Sequence, residues 1–278
     1  YKSLCTMANS SQFSEAMSSI LHQTNNNSIH QEPYFAEKKK NLHRNVSKRK
    51  FIFGTNKNAI TVIVKESFIE MNHVWPSAIL MAEYLYANPN IVVSETILEL
   101  GAGCGLPSFL CCKLGANQVF GSDATKYPNV LKQLTESAEL NGDEVSEIFE
   151  AVGLTWGRFT KETIKLRPTL IIGTDLFYDD CDYEDILANV NYYFTKGAKA
   201  FYTVIQRRAT TKRIAGLLLK WKMKCEEIDI LNFILNSDYL SFDDTEKLMM
   251  VKITPSHSLS QSDDFNRQRT ESIMGLMQ

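Results

Sequence analysis

Apolar residues along the middle of this chain form short continuous runs, and these alternate with stretches in which apolar residues recur every three or four positions. A short apolar run bounded by turn residues is typical of a buried strand, whereas the wider spacing indicates a helix with one buried face. The pattern predicts strands at residues 96–100, 117–122, 147–152, 169–174, 198–205, 224–230 and 247–253. It predicts helices at residues 77–86, 107–114, 127–140, 183–194 and 210–221. This alternation predicts an α/β fold, a seven-stranded, mostly parallel sheet with helices on both faces.

Two β-prone runs precede the first predicted helix. Residues 51–54 and 59–64 flank the polar stretch 55–58, which predicts an N-terminal β-hairpin. Sixteen of the first 31 residues are Ser, Thr, Asn or Gln, a composition with too little apolar surface to fold alone. We therefore predict a disordered polar and basic segment at 1–49, one domain at 50–254 and a flexible tail at 255–278.

Composition narrows the class of protein. The chain has 278 residues, of which 44% are hydrophobic and 22% are charged, and these values are ordinary for a soluble globular domain. No apolar run approaches the roughly 18 residues of a membrane span, so we expect no membrane partner. The six cysteines form no Cys-x-x-Cys pair and have no paired histidines nearby, so we predict no metal site.

The formal net charge of −2 is unevenly distributed. Eight Lys/Arg and three Asp/Glu give residues 1–50 a charge of +5, which leaves −7 for the remainder. An acidic catalytic portion is compatible with a basic protein substrate, although acidity also serves solubility. The basic runs 38–40 and 48–50 resemble a bipartite nuclear import signal or form a basic linker at the domain edge. We expect the protein in the nucleus and the cytoplasm.

A glycine-rich turn follows the first strand of the predicted sheet. The strand leads through Glu99 into Gly101, Gly103 and Gly105, and glycine lets the main chain approach a ligand closely because it has no Cβ. Dinucleotide-binding folds have a further glycine where this chain has Leu106, which disfavours an NAD-linked oxidoreductase. Glu99 would repel a pyrophosphate, and we predict that it faces a positively charged amino group. S-adenosylmethionine carries such a group.

Acidic residues also follow two other predicted strands. Asp123 comes 20 residues after Gly103, a spacing at which Rossmann-like folds place an acid on ribose hydroxyls. Asp175 follows the strand at 169–174. Ligands bind outside the carboxyl ends of strands in such sheets, so Glu99, Asp123 and Asp175 should converge on one crevice. The alternative is that Asp123 and Asp175 cap the helices that follow them.

Six short motifs, taken in order, resemble methyltransferase family 16, a group of seven-strand protein methyltransferases that use S-adenosylmethionine. They lie at residues 74–76, 99–105, 122–123, 152–157, 175–178 and 183–188. The similarity extends over residues 50–254 and includes neither tail. It implies a Rossmann-like class I methyltransferase fold.

The resemblance implies roles for the residues around the cofactor. Trp75 would line the pocket from its N-terminal side, and Asp123 would hold the ribose. The main chain of Gly101, Ala102 and Gly103 would surround the amino-acid part of the cofactor.

Further roles are implied at the adenine and at the substrate. Trp156 would stack on the adenine, although the residue taken alone is more typical of a core position. Thr174 would contact the cofactor near the transferred methyl group. Asp175 and Tyr178 begin and end the family's Asp-x-x-Phe/Tyr motif at the substrate mouth, and they are the predicted catalytic residues.

The activity implied by the resemblance is N-methylation of protein side chains. Lysine is the common target in the family, and arginine of histones is the target linked to the member that this chain resembles most. We expect arginine of histones or of related basic proteins. The alternatives are a protein-lysine methyltransferase and a non-catalytic adaptor that keeps the cofactor. Direct binding of nucleic acid is not expected, because the aromatic residues 192–194 are more typical of packing.

Overall fold

The computed structural model describes residues 46–256, with gaps at residues 56, 58, 68–71, 209–211, 232 and 234–236. The strands are β1 (Ser47–Phe53), β2 (Ile60–Glu66), β3 (Thr96–Leu100), β4 (Gln118–Asp123), β5 (Phe149–Gly153), β6 (Leu170–Thr174), β7 (Phe201–Gln206), β8 (Met223–Ile228) and β9 (Leu248–Pro255). β1 and β2 form an antiparallel hairpin, and the others form one sheet in the order β5-β4-β3-β6-β7-β9-β8. β9 is antiparallel to both of its neighbours, and the remaining neighbours are parallel. The predicted sheet and hairpin are confirmed.

Helices cover both faces of the sheet. They are α1 (Pro76–Ala87), α2 (Leu106–Lys113), α3 (Pro128–Glu139), α4 (Asp143–Ser146), α5 (Tyr183–Thr195), α6 (Lys212–Lys220) and α7 (Phe242–Thr245). Successive strand residues point to opposite sides of a sheet. In β3, Ile97 therefore packs in the core with α1, α2 and α3, and Leu98 packs in the core with α5 and α6. In β6, Ile172 packs in the first of these cores and Ile171 in the second.

The hairpin is fixed to the first of these two faces. Its inward-facing side chains lie in the same core as α1, and they are Phe51, Phe53, Val62 and Val64. Asn141 accepts a hydrogen bond from the Ile63 N–H at 2.9 Å and donates one to the Ile63 carbonyl at 2.6 Å. The Lys65 N–H donates to Ser137 Oγ at 3.0 Å. These bonds satisfy main-chain groups that the edge of a two-stranded sheet would otherwise expose.

Boundaries differ from the predicted ones by a few residues. The strand predicted at 198–205 is observed at Phe201–Gln206, although the Lys199 N–H already bonds to the Thr169 carbonyl. β1 begins at Ser47, so three residues of the predicted N-terminal segment belong to a strand. Most of the predicted tails, including the basic run 38–40, lies outside the described residues. Within the described part of the chain, every helix is too short or too polar to cross a membrane.

Candidate active site

The glycine loop joins β3 to α2 at the carboxyl edge of the sheet, and its glycines differ in what surrounds them. All have positive φ, namely +62° at Gly101, +52° at Gly103 and +79° at Gly105. A Cβ on Gly101 would lie 2.6 Å from Leu176 Cδ2, so the protein's own packing excludes one there. For a Cβ on Gly103, the nearest described atom is Asn72 Oδ1, at 3.5 Å. Among the residues that the structure describes, Gly103 therefore has an open side on which a ligand can approach the main chain.

Asp123 holds this loop from the end of the neighbouring strand β4. Its Oδ2 accepts a hydrogen bond from the Gly103 N–H at 3.0 Å, and its Oδ1 accepts one from the Ala124 N–H at 2.7 Å. The Ala102 N–H donates to the Ser122 carbonyl at 2.8 Å. Burial raises the pKa of Asp123, and the two main-chain donors oppose that rise. The structure thus brings Asp123 to the loop, and its contact with a ribose stays a prediction.

Glu99 lies beneath the loop. Its side chain is buried, and its Oε2 accepts hydrogen bonds from both the N–H and the hydroxyl of Ser108, in the first turn of α2. Gly105, the residue that precedes α2, has no side chain to satisfy the free N–H groups of that turn. Glu99 satisfies one of them from the strand below. This placement supports a role in holding α2, and direct contact between Glu99 and the cofactor stays a prediction.

The buried Glu99 predicts a pH dependence of stability. Burial raises its pKa from the usual 4.5 to about 8, Ser108 opposes the rise, and Asp123 adds to it. Between these two values the folded protein keeps a proton that the unfolded chain releases, so the free energy of unfolding falls as the pH rises from 4.5 to about 8. Glu99→Gln removes this titration. We expect the Tm of the variant, relative to wild type, to rise between about pH 5 and about pH 8.

Thermal unfolding across this pH range measures the effect. Glu147→Gln, which changes an exposed carboxyl group, is the matched control and should show no such trend. Parallel curves for wild type and Glu99→Gln would contradict the buried titration.

Asp175 follows β6 in an uncommon backbone conformation. Its φ is +50°, a left-handed value that Asp tolerates better than most residues. Its N–H donates to the Val204 carbonyl of β7 at 2.9 Å, and its Oδ1 lies 3.6 Å from a guanidinium nitrogen of Arg208. Burial raises the pKa of Asp175, and Arg208 opposes the rise. A residue in such a conformation persists only when the surrounding structure holds it in place. Residues of this kind are concentrated at functional sites.

Two aromatic rings lie beside the loop and the strand ends. The rings of Trp156 and Tyr178 are 6.1 Å apart, and Trp156 Cζ2 is 3.6 Å from the place a Cβ on Gly101 would take. Tyr178 is 53% exposed, so its ring is available to a partner. Burial of part of the side chain raises the Tyr178 pKa, as does Asp182. Thr174, the last residue of β6, is half-buried next to Asp175.

The segment before α1 is tied to the glycine loop. The thiol of Cys104 donates to Asn72 Oδ1 at 3.3 Å, and the Val74 N–H donates to Glu66 Oε1 at 2.9 Å. Trp75 directly precedes α1, and its ring lies 4.1 Å from that of His73. Sequence reasoning missed Glu66 and Asn72. Residues far away in the sequence bury these polar side chains, and the periodicity of apolar residues gives no sign of such contacts.

Comparison with known proteins identifies the family. A sequence model of methyltransferase family 16, described as lysine methyltransferase, matches residues 57–221. A mouse (Mus musculus) protein named histone-arginine methyltransferase METTL23 is 36% identical over 163 residues, which are 58% of this chain and 63% of that protein. The chain therefore spans less than two thirds of the mouse relative. A Dictyostelium discoideum protein named methyltransferase-like protein 23 is 30% identical over 226 residues, covering 73% of this chain and 85% of that protein.

A solved structure agrees with the fold. The glycopeptide N-methyltransferase MtfA, in complex with S-adenosyl-L-methionine, matches with a TM-score of 0.50 and 12% identity over 66% of this chain and 98% of that one. Identity this low shows the fold alone. The residues here fit the same cofactor, because the open side of Gly103 and the nearby Asp123 carboxylate suit a ligand that bears amino and hydroxyl groups. The chain belongs to methyltransferase family 16, whose cofactor is S-adenosyl-L-methionine.

Proposed function

We propose that this protein methylates a side-chain nitrogen of a basic protein, with arginine of histones as the favoured target. One observation carries the proposal. The carboxylate of Asp175, held at a φ of +50° directly after β6, and the exposed aromatic ring of Tyr178, a little further along the chain, lie at the sheet edge that carries the glycine loop. A carboxylate and an exposed aromatic face at one sheet edge are suited to a cationic side chain, because each attracts positive charge.

The cofactor would be held by the residues already described at the loop. The main chain of Gly101, Ala102 and Gly103 would surround its amino-acid part, Asp123 would bind the ribose, and Trp156 would lie against the adenine. Trp75 and Thr174 would complete the pocket. When bound, the cofactor supplies a methyl group that is already activated by its positively charged sulfur. The protein therefore has mainly to hold two reactants in the geometry of an in-line displacement.

Asp175 would orient the entering nitrogen and receive its proton. A lysine, with a pKa of about 10.4, must lose a proton before its lone pair can attack, and an arginine keeps its positive charge up to about pH 12. The nitrogen would accept the methyl group that the cofactor supplies, and it would give up one N–H proton to a base. Asp175 is the candidate base, because burial raises its pKa and makes it a better proton acceptor than an exposed carboxylate.

The choice of arginine over lysine rests on the named activity of the METTL23 relatives. The family description names lysine, so a protein-lysine methyltransferase is the alternative. The charge of −7 outside residues 1–50 supports a basic substrate of either kind. A histone target would require the protein to enter the nucleus, and we propose that it occurs in both nucleus and cytoplasm.

The test is to incubate the protein with labelled S-adenosylmethionine and recombinant core histones and to map the modified residues by mass spectrometry. We expect methylated arginine, and a rate of methylation about 100-fold lower when Asp175 is replaced by Asn. Label on lysine alone would overturn the arginine assignment. If the protein binds the cofactor but transfers no methyl group to histones or to proteins of a cell extract, the non-catalytic adaptor is favoured. If it does not bind the cofactor, the proposal is overturned.

A further inference from the structure

Arg208 is the cation that faces Asp175. Strands β6 and β7 are parallel neighbours, with Thr174 opposite Val204, so the residues that follow them lie at the same edge of the sheet. Arg208 follows β7 by two residues and lies 3.6 Å from the Asp175 carboxylate. Its Nη2 also donates a hydrogen bond to Gln206 Oε1, at 2.7 Å. Among the described residues, Arg208 is the charged group that lowers the pKa of Asp175.

The geometry of this pair makes it easy to replace. The Arg208 side chain is 38% exposed and that of Asp175 is 17% exposed. A long ion pair that is partly exposed to water contributes little to stability. Solvent screens the charges, and holding a long side chain in one conformation costs entropy. A second guanidinium or ammonium that reached Asp175 could therefore displace Arg208.

We propose that Arg208 and the cationic side chain of a substrate compete for Asp175, so that Arg208 sets how tightly the substrate binds. This inference rests on the proposed function, because it takes Asp175 as the residue that receives the target nitrogen. A protein chain with no positive charge at its target would lack the means to displace Arg208. Arg208 is thus a specificity-determining residue, which acts through Asp175 and does not contact the reacting methyl group.

The adjacent residue offers a matched control. Arg207 also follows β7 and also forms an ion pair, with its Nη2 at 3.0 Å from Glu227 Oε1 of β8. Arg207→Gln removes the same charge from the same sheet edge and leaves the pair between Arg208 and Asp175 in place. A general electrostatic effect would appear in both variants, whereas competition for Asp175 would appear in Arg208→Gln alone.

The experiment measures two quantities for wild type, Arg208→Gln, Arg208→Lys and Arg207→Gln. The first is the Kd of a fluorescent hexa-arginine peptide, in the presence of S-adenosylhomocysteine. The second is the KM and kcat for recombinant core histones. For Arg208→Gln we expect Kd and KM to fall by about two- to fivefold, the range that the loss of a partly exposed ion pair allows. We expect kcat to stay within about twofold, and Arg208→Lys and Arg207→Gln to resemble wild type.

The outcomes separate this inference from the proposed function. An unchanged or higher Kd in Arg208→Gln, or an equal fall in Arg207→Gln, would contradict the competition even if histones are methylated. A fall in Kd confined to Arg208→Gln would support it even if no histone is methylated, and in that case the proposed function fails. Thermal unfolding of each variant shows whether it is folded, and Arg208→Met, which also removes the charge, supplies the binding result if Arg208→Gln is not folded.

Discussion

Replacing Asp175 with Asn is expected to lower kcat by about 100-fold, the usual scale for loss of a positioned acid or base. Asn keeps the shape of the side chain and tolerates the φ of +50°, so the backbone is preserved. It cannot take up a proton as a carboxylate does, and it attracts a cation more weakly. The cofactor is held by the glycine loop and Asp123, so its Kd should change by less than about threefold. Single-turnover kinetics and calorimetric titration with S-adenosylhomocysteine measure the two quantities.

Glu227→Gln is the control for this variant. It removes the carboxylate of the neighbouring ion pair with Arg207, and its kcat should match that of wild type. Equal losses of turnover and of cofactor affinity in Asp175→Asn would assign Asp175 to cofactor binding instead of to the substrate.

Gly103→Ala is expected to weaken cofactor binding at least about fivefold while the protein stays folded. The added Cβ would lie 3.5 Å from the nearest described atom, an ordinary contact, so the cost within the protein is that of the left-handed backbone, about 1–2 kcal/mol. The same Cβ would occupy the open side of the loop, and an extra methyl group in a packed contact costs about 1–3 kcal/mol. The variant therefore distinguishes the effect of the added methyl group on the stability of the protein from its effect on cofactor binding. Calorimetric titration measures the affinity for the cofactor, and thermal unfolding measures the stability.

Gly216→Ala is the matched control. Gly216 is exposed in α6, and no described atom lies within 4 Å of the Cβ that alanine would add. Replacing glycine within a helix should raise stability by roughly 0.5–1 kcal/mol and leave the Kd of the cofactor unchanged. If Gly103→Ala binds the cofactor as wild type does, the loop is not where the ligand lies.

The sequence pattern predicted the sheet because its signals are local. Each central strand is a short apolar run, and Ile97 and Leu98 are both apolar because both faces of the sheet are covered. The short helices α4 and α7 were not predicted, since four residues are too few to show a helical period. The strand predicted at 198–205 was three residues too early at its start, because Ala198 and Ala200 are apolar and buried before the regular strand begins.

The site was predicted in outline, and its side-chain partnerships were not. The loop, Asp123 and Asp175 follow from residues at strand ends, and a resemblance to a known family supplied roles for Trp156 and Tyr178. The bond of Glu99 to Ser108 and the pairing of Asp175 with Arg208 depend on where helices and neighbouring strands lie. Contacts between residues far apart in sequence appear only when the sheet is assembled.

Calorimetric titration of the purified protein with S-adenosylhomocysteine and, separately, with NAD most directly tests whether this sheet edge holds a methyl donor. We expect one molecule of S-adenosylhomocysteine to bind per chain, a higher Kd for it in Gly103→Ala, and no binding of NAD. Absence of binding, or binding that Gly103→Ala leaves unchanged, would contradict the account.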